Sequence, residues 1–118
     1  MERAHGHVLI VDDEEGLRDL FEVWLSDEYT VSTAASGAEA LRVVDSSIDV
    51  VVLDWRLADL SGREVVEGIH ERDLGARIVV VSGFDTGGEV ETMADAALQK
   101  PVDREELSAT IDELVGAE

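Results

Sequence analysis

Short runs of β-branched apolar residues alternate along the chain with longer segments whose apolar residues recur at helical spacing. The runs at 8–11, 50–53 and 78–81 are too short to cross a membrane and have the length and composition of strands buried on both faces. Strands that alternate with helices are typical of α/β domains with a parallel sheet. The pattern therefore predicts an α/β fold.

Turn and capping residues divide the sequence into five β/α repeats. Ser36 with Glu39 and Ser61 with Glu64 have the spacing of capping boxes, and Asp103 is in place to cap the last helix. Strands are predicted over 7–11, 29–33, 48–53, 78–81 and 97–99, and helices over 14–27, 36–44, 61–75, 85–97 and from 103 onward. The first helix is expected to bury one apolar stripe, which consists of Leu17, Leu20, Phe21, Trp24 and Leu25.

Five such repeats with right-handed crossovers pack as a three-layer sandwich. The compact arrangement for this number of units is the flavodoxin-like (βα)5 fold, with a parallel five-stranded sheet in the order 2-1-3-4-5. Its crevice lies outside the carboxyl ends of strands 1 and 3. The length of 118 residues fits one domain over residues 1–118.

The chain is strongly acidic: it has 28 acidic and nine basic residues, and its formal net charge is −19. Such a surface repels phosphate backbones, so direct binding to nucleic acid or to an anionic membrane is not expected. The absence of cysteine excludes disulfides and thiolate metal sites. No apolar signal region follows the first residues, which makes the cytoplasm the expected location. An acidic, lysine-poor composition favours a halophilic source, with an acidic mesophilic protein as the alternative.

Polar residues follow the buried strands where each one ends. Asp12 and Asp13 follow strand 1, and Asp54 follows strand 3. Parallel strands bring these three carboxyl groups to one crevice, where they repel each other unless some are protonated or a cation lies among them. A site made of oxygen ligands suits Mg²⁺, with Mn²⁺ as the alternative.

Two further residues at strand ends complete this arrangement. Ser82 ends strand 4, and Lys100, the single lysine, ends strand 5. A compact ammonium group fits a tight site that a guanidinium group would not enter. A metal ion, an ammonium group and a hydroxyl around one carboxylate suit phosphoryl transfer, which depends on positioning and charge neutralisation.

Four short motifs occur in a characteristic order: Asp12-Asp13, Val-Val-Leu-Asp at 51–54, Val-Val-Ser-Gly at 80–83, and Lys100-Pro101. Together they resemble the receiver domain of two-component response regulators (CheY-like), and the resemblance covers essentially the whole chain. It implies that Asp54 is the phosphoacceptor and that Mg²⁺ is the cofactor. The resemblance further implies that Asp13 binds the metal directly, Asp12 through water and Arg56 through its backbone carbonyl, that Ser82 and Lys100 contact the phosphoryl oxygens, and that the Lys100-Pro101 peptide bond is cis.

The resemblance also implies a switch, in which phosphorylation draws Ser82 and the loop from Gly83 inward and shifts the surface formed by the fourth and fifth helices and the fifth strand. The family usually has an aromatic residue at the position of Ala97. Phe84 is the alternative switch residue, or it shields the phosphoryl group from water. Two further departures, Ala58 where proline is common and Met93 where glycine is usual, are expected to leave the chemistry untouched.

The implied partners are a sensor histidine kinase or phosphotransfer protein and a downstream output domain or protein, and phosphorylation-dependent dimerisation is compatible with the family. The only expected activities are self-catalysed phosphorylation and slow dephosphorylation, not metabolic catalysis. One alternative is a small Mg²⁺-dependent aspartyl phosphatase, which needs an acid where Arg56 stands. Another is a binding module with this fold that works without phosphorylation. The sequence leaves open whether the domain is free-standing or part of a longer regulator.

Overall fold

The protein is described by a computed structural model that covers residues 6–83 and 88–116. The five strands are β1 (His7–Val11), β2 (Thr30–Ala34), β3 (Val50–Asp54), β4 (Arg77–Ser82) and β5 (Ala96–Gln99). The helices are α1 (Glu15–Leu25), α2 (Gly37–Val43), α3 (Gly62–Glu71), α4 (Glu89–Met93) and α5 (Arg104–Gly116).

The strands form one parallel sheet in the order β2-β1-β3-β4-β5, which confirms the predicted topology. Side chains alternate between the two faces of the sheet. Leu9 and Val11 face a core cluster with residues of α2, α3 and α4, whereas Val8 and Ile10 face a second cluster with residues of α1 and α5. Helices therefore cover both faces of the sheet, as in the predicted three-layer sandwich.

The helix-start signals are confirmed in two cases and half confirmed in a third. Ser61 and Glu64 form a complete capping box, and the Asp103 carboxylate accepts a hydrogen bond from the Glu106 N–H at 2.8 Å. Ser36 also caps α2, but the carboxylate of Glu39 accepts from the Ala35 N–H and not from Ser36. The capping box predicted for α2 is therefore only partly formed.

Two helix predictions are wrong. The α1 stripe is incomplete, since Phe21 and Leu25 are buried but Leu20 is 42% exposed. The helix predicted over 85–97 is, within the described residues, only the five-residue α4. The backbone N–H of Asp95 donates to the Ile78 carbonyl, and the sheet ladder that follows takes residues from Ala96 onward into β5.

Within 6–83 and 88–116, none of the helices has the length and apolar character required to cross a bilayer.

Candidate functional site

The site lies at the carboxyl edge of the sheet, where β1 and β3 run side by side. Val11 pairs with Leu53, so the residues that follow them on the two strands, Asp12 and Asp54, are neighbours. A carboxylate oxygen of each of Asp12, Asp13 and Asp54 lies within 4.8 Å of the others. The structure therefore brings together the three acids that the sequence placed at one crevice.

Burial distinguishes the three acids. Asp12 and Asp54 are only 2% and 7% exposed, whereas Asp13 is exposed. Desolvation is the main reason why the pKa of both Asp12 and Asp54 is raised above the ordinary value, and the negative charge of a neighbouring aspartate adds to the shift in each case. The crevice therefore holds negative charge that the protein only partly compensates.

Backbone N–H groups orient all three carboxylates. Asp12 Oδ1 accepts from the Glu14 N–H at 2.8 Å, and Asp54 Oδ1 accepts from the Arg56 N–H at 3.2 Å. Asp13 Oδ2 accepts from the Ala58 N–H at 3.1 Å. A proline at position 58 would have no N–H to offer Asp13, so this hydrogen bond depends on the alanine.

Lys100 is the cation of the site. Its Nζ lies 3.6 Å from Asp54 Oδ1, a distance that makes an ion pair and is too long for a good hydrogen bond. Oδ1 of Asp54 thus takes part both in this ion pair and in the hydrogen bond from the Arg56 N–H. Asp54 also lines a cleft that is open to solvent. An incoming group can therefore reach Asp54 from this cleft.

The remaining residues predicted at the site also lie at this edge. Ser82 is the buried last residue of β4, and its carbonyl accepts a hydrogen bond from the Lys100 N–H at 2.8 Å. Gly83 lines a cleft of about 420 Å³ whose other lining residues are Asp13, Glu14, Asp54, Arg56 and Lys100. The cleft opens to solvent above the phosphoacceptor candidate.

The donor set fits a hard divalent cation. The three acids offer only oxygen ligands, and burial raises the pKa of two of them, Asp12 and Asp54, by more than the charge of Lys100 lowers it. Mg²⁺ prefers one or two carboxylates and keeps several waters, for which an open cleft leaves room.

The residues predicted for switching are placed less completely. The Lys100–Pro101 peptide bond, for which the resemblance implied a cis geometry, is cis. Ala97 is exposed on β5, and Phe84 lies outside the described residues. The structure thus gives the position of only one of the two candidate switch side chains.

Two side chains at the edge of the site were not singled out by the sequence. Glu14 lines the cleft, and the guanidinium of Arg18 on α1 donates to the backbone carbonyl of Asp12 at 2.8 Å. The ring of Trp55 lies against Gly62, where a Cβ would come within 2.3 Å of the indole. A small residue at the start of α3 is therefore required beside the residue that follows Asp54.

Comparison with known proteins agrees with this geometry. Residues 8–112 match the family described as response regulator receiver domain. The chain is 40% identical over 110 residues to a candidate transcriptional regulator of Haloferax volcanii, covering 92% of this chain and 19% of that protein. A haloarchaeal relative is consistent with the expectation of a halophilic source.

Solved structures share the fold. A CheY-like receiver domain from Methanospirillum hungatei superposes with a TM-score of 0.86 at 28% identity, covering 93% of each chain. The response regulator TrrA from Thermotoga maritima, crystallised with Mg(2+)-BeF, gives a TM-score of 0.82 at 29% identity, covering 92% of this chain and 98% of that one. The chain spans no more than half the length of the curated relatives compared with it.

Proposed function

This chain belongs to the response regulator receiver domain family, and from that premise we propose that it is a phosphorylation-dependent switch that accepts a phosphoryl group on Asp54. The observation that carries the proposal is the carboxylate of Asp54, which is buried beside Asp12 and Asp13, is paired with Lys100 and lines a cleft open to solvent. Nucleophilic carboxylates of this kind form acyl phosphates.

The transfer balances as a simple displacement. An Asp54 oxygen attacks the phosphorus of a phosphohistidine, the new P–O bond forms as the P–N bond breaks, and the histidine nitrogen leaves with the electron pair and takes up a proton. Lys100 is close enough to Asp54 to pair with a phosphoryl oxygen once the phosphoryl group is on the carboxylate. The Ser82 hydroxyl, at the end of the adjacent strand, is proposed to bond a second phosphoryl oxygen.

Mg²⁺ is the proposed cofactor. Asp13 would hold it directly, Asp12 largely through water, and Asp54 and the backbone carbonyl of Arg56 would complete the protein ligands. The ion would neutralise charge on the phosphoryl oxygens and on the three carboxylates. Mn²⁺, which has similar ligand preferences, is the proposed substitute.

The signal is proposed to leave the site through β4 and β5. The Ser82 carbonyl is hydrogen-bonded to the Lys100 N–H, so a movement of the loop from Gly83 is transmitted to the start of the Lys100–Pro101 segment. The surface of α4, β5 and α5 would then change for a downstream output domain or protein. Because β5 carries Ala97 and not an aromatic residue, Phe84 is the proposed switch side chain.

We propose residues 1–118 as one receiver domain that works in the cytoplasm with a sensor histidine kinase or a phosphotransfer protein. The family context supports such partners, and the Haloferax relative is named as a candidate transcriptional regulator. Phosphorylation-dependent dimerisation belongs to the same proposal. The acidic surface argues against direct contact of this segment with nucleic acid.

The proposal is tested by incubating the protein with a small phosphodonor and Mg²⁺, followed by intact mass measurement. We expect a stable gain of one phosphoryl group, no gain when the metal is chelated, and no gain for Asp54→Asn. Asp45→Asn is the matched control, because Asp45 is an exposed aspartate that follows α2 at the opposite edge of the sheet.

The alternatives give different outcomes in the same experiment. Continuous release of phosphate with no accumulated product would indicate an aspartyl phosphatase, although Arg56 stands where that class needs an acid. Absence of any mass gain in the wild-type protein would indicate a binding module that works without phosphorylation. Phosphoryl uptake by Asp54→Asn equal to that of the wild type would contradict the assignment of the acceptor.

A further inference from the structure

The side chain of Arg18 contacts a backbone carbonyl, although the chain has 28 acidic residues. The ion pairs within the described residues join Arg63 to Glu67, Arg63 to Glu89 and Lys100 to Asp54, and none involves Arg18. Its half-buried guanidinium donates instead to the backbone carbonyl of Asp12 at 2.8 Å. A contact of this kind orients the backbone rather than compensating a carboxylate.

The bond comes at the one peptide unit that joins the two metal-binding candidates. Because a peptide group is planar, a guanidinium that holds the Asp12 carbonyl also sets the orientation of the Asp13 N–H and of the Cα atoms on either side. On the other side of the same residue, the Asp12 N–H donates to the Ala34 carbonyl of β2 at 3.2 Å. The main chain of Asp12 is therefore held from both directions, by β2 and by α1.

The side chain of Asp12 is anchored to the same loop. Its Oδ1 accepts from the Glu14 N–H, and the Glu14 carbonyl accepts from the Arg18 N–H as the first turn of α1 begins. Arg18 thus closes a ring of contacts in which its backbone and its side chain both return to the β1–α1 loop. Such a ring fixes the directions in which the two carboxylates leave the backbone.

The contact of Arg18 is with the backbone and not with a carboxylate. The cation among the main influences on the pKa of both Asp12 and Asp54 is Lys100. Lys100 and Arg18 therefore have separate tasks: Lys100 pairs with the acceptor carboxylate, and Arg18 acts on the backbone of the loop.

We propose that Arg18 is a positioning residue that holds the Asp12–Asp13 loop in the conformation that binds a divalent cation. This inference rests on the proposed function, since it assumes that the three acids take up Mg²⁺. Groups that orient the ligands of a metal without touching it typically contribute 10–100-fold to metal affinity.

The test is calorimetric titration of the phosphate-free protein with Mg²⁺ at constant KCl. Arg18→Met keeps the length of the side chain and removes its donors, and we expect it to raise the Kd for Mg²⁺ about tenfold. Arg18→Lys keeps a single donor group, the ammonium, so its Kd is expected to lie between that of the wild type and that of Arg18→Met. Arg18→Gln shortens the side chain and is expected to behave like Arg18→Met, which keeps the test decisive if Arg18→Met does not fold.

Arg72 provides a matched control for a purely structural effect. Its guanidinium also donates to a backbone carbonyl, that of Leu41 at 2.6 Å, between the ends of α3 and α2 far from the acids. Arg72→Met removes the same charge and the same kind of contact. We expect both variants to lose thermal stability, but Arg72→Met to retain the wild-type Kd within twofold.

The outcomes separate this proposal from the one on which it rests. A wild-type protein that takes up no Mg²⁺ would overturn both. Normal Mg²⁺ binding by the wild type with an unchanged Kd in Arg18→Met, or in Arg18→Gln where the first does not fold, would overturn only the role of Arg18. An equal loss of affinity in Arg72→Met would also overturn it, because the effect would then follow from general destabilisation.

Discussion

The sheet is packed tightly at its centre, where β1 and β3 lie, and loosely at its β5 edge, and these two regions are called its two sides below. Every residue of β3, which ends in the phosphoacceptor candidate, is buried, and the 11-residue α1 and the 10-residue α3 cover the two faces on this side. On the other side, residues of β5 alternate between half-buried and exposed, and the adjacent α4 has only five residues. The acids thus stand on the well-packed side, and the surface proposed to carry the signal lies on the sparsely packed side.

This difference has a physical meaning for a switch. Carboxylates that share a cation need fixed positions, which strands packed on both faces provide. A surface that must change on phosphorylation needs two arrangements close in free energy, and regions with little buried apolar area have them. The two sides therefore suit the two tasks that the proposed function assigns to them.

The difference in packing between the two sides is tested most directly by truncating one leucine on each side. Leu9 of β1 is fully buried, so Leu9→Ala is expected to lower the free energy of unfolding by about 2–5 kcal/mol. Leu98 of β5 is half-buried, and Leu98→Ala is expected to cost about 1 kcal/mol, because less apolar surface leaves contact. Urea unfolding at constant KCl measures both, and equal losses would show that β5 is packed as well as β1.

The next prediction concerns the affinity of the acids for Mg²⁺ at different pH values. Since the pKa values of Asp12 and Asp54 are raised, protons compete with the metal at pH values above those at which an ordinary aspartate titrates. We expect the affinity to fall as pH is lowered, by up to about tenfold per pH unit for each proton displaced. Trp55 fluorescence reports binding in a Trp24→Phe background, which removes the other tryptophan.

A Kd that does not change between neutral pH and pH 5 would contradict this prediction. The matched variant is Asp54→Asn, which keeps the shape of the side chain but has no proton to exchange. Its Kd is expected to be higher than that of the wild type and to depend less on pH.

A smaller effect is expected on the stability of the metal-free protein. The folded protein holds protons on Asp12 and Asp54 more tightly than the unfolded chain, whose aspartates titrate near 3.8. Stability from these groups is therefore present below that value and is lost as pH rises through the raised pKa values. At neutral pH, Asp54→Asn is expected to be more stable than the wild type by about 1 kcal/mol, since it removes a buried charge.

The thermal midpoints of the two proteins at neutral pH and near pH 4, measured in chelator, check this sign. The difference is expected to shrink at the lower pH, where a larger fraction of the wild-type carboxyl is protonated. If Asp54→Asn were less stable than the wild type at neutral pH, the ion pair with Lys100 would outweigh the desolvation of Asp54.

The smallest effect is expected on the sparsely packed side. Ala97→Tyr places an aromatic residue at an exposed position of β5, so stability is expected to change by less than about 0.5 kcal/mol. The rate of phosphoryl uptake is expected to stay within twofold of the wild type. Lys100→Met is the contrasting variant, because Lys100 lies one residue beyond the end of the same strand, and it is expected to slow uptake. A comparable slowing in Ala97→Tyr would show that a change on the sparsely packed side affects the chemistry at the acids.

Most of the fold was predictable because its signals are local and repeated. Buried strands appear as β-branched runs, and the caps at Ser61 and Asp103 depend on residues only three positions apart. The end of α4 was not predictable in this way. Three of the residues 94–97 are alanines, which favour a helix, and the strand forms because a hydrogen bond from Asp95 to the distant Ile78 takes the chain into the sheet.

The candidate site was predictable to the extent that strand order alone determines it. Parallel strands bring their carboxyl ends to one edge, so the sequence by itself determined that Asp12, Asp13 and Asp54 would meet and that Lys100 would join them. Only the tertiary structure decided which acids are buried, that Ala58 donates to Asp13, and that Arg18 holds the Asp12 carbonyl. The physical reason is that a loop N–H or a long side chain has many partners within reach, and the choice among them depends on the packing of segments distant in sequence.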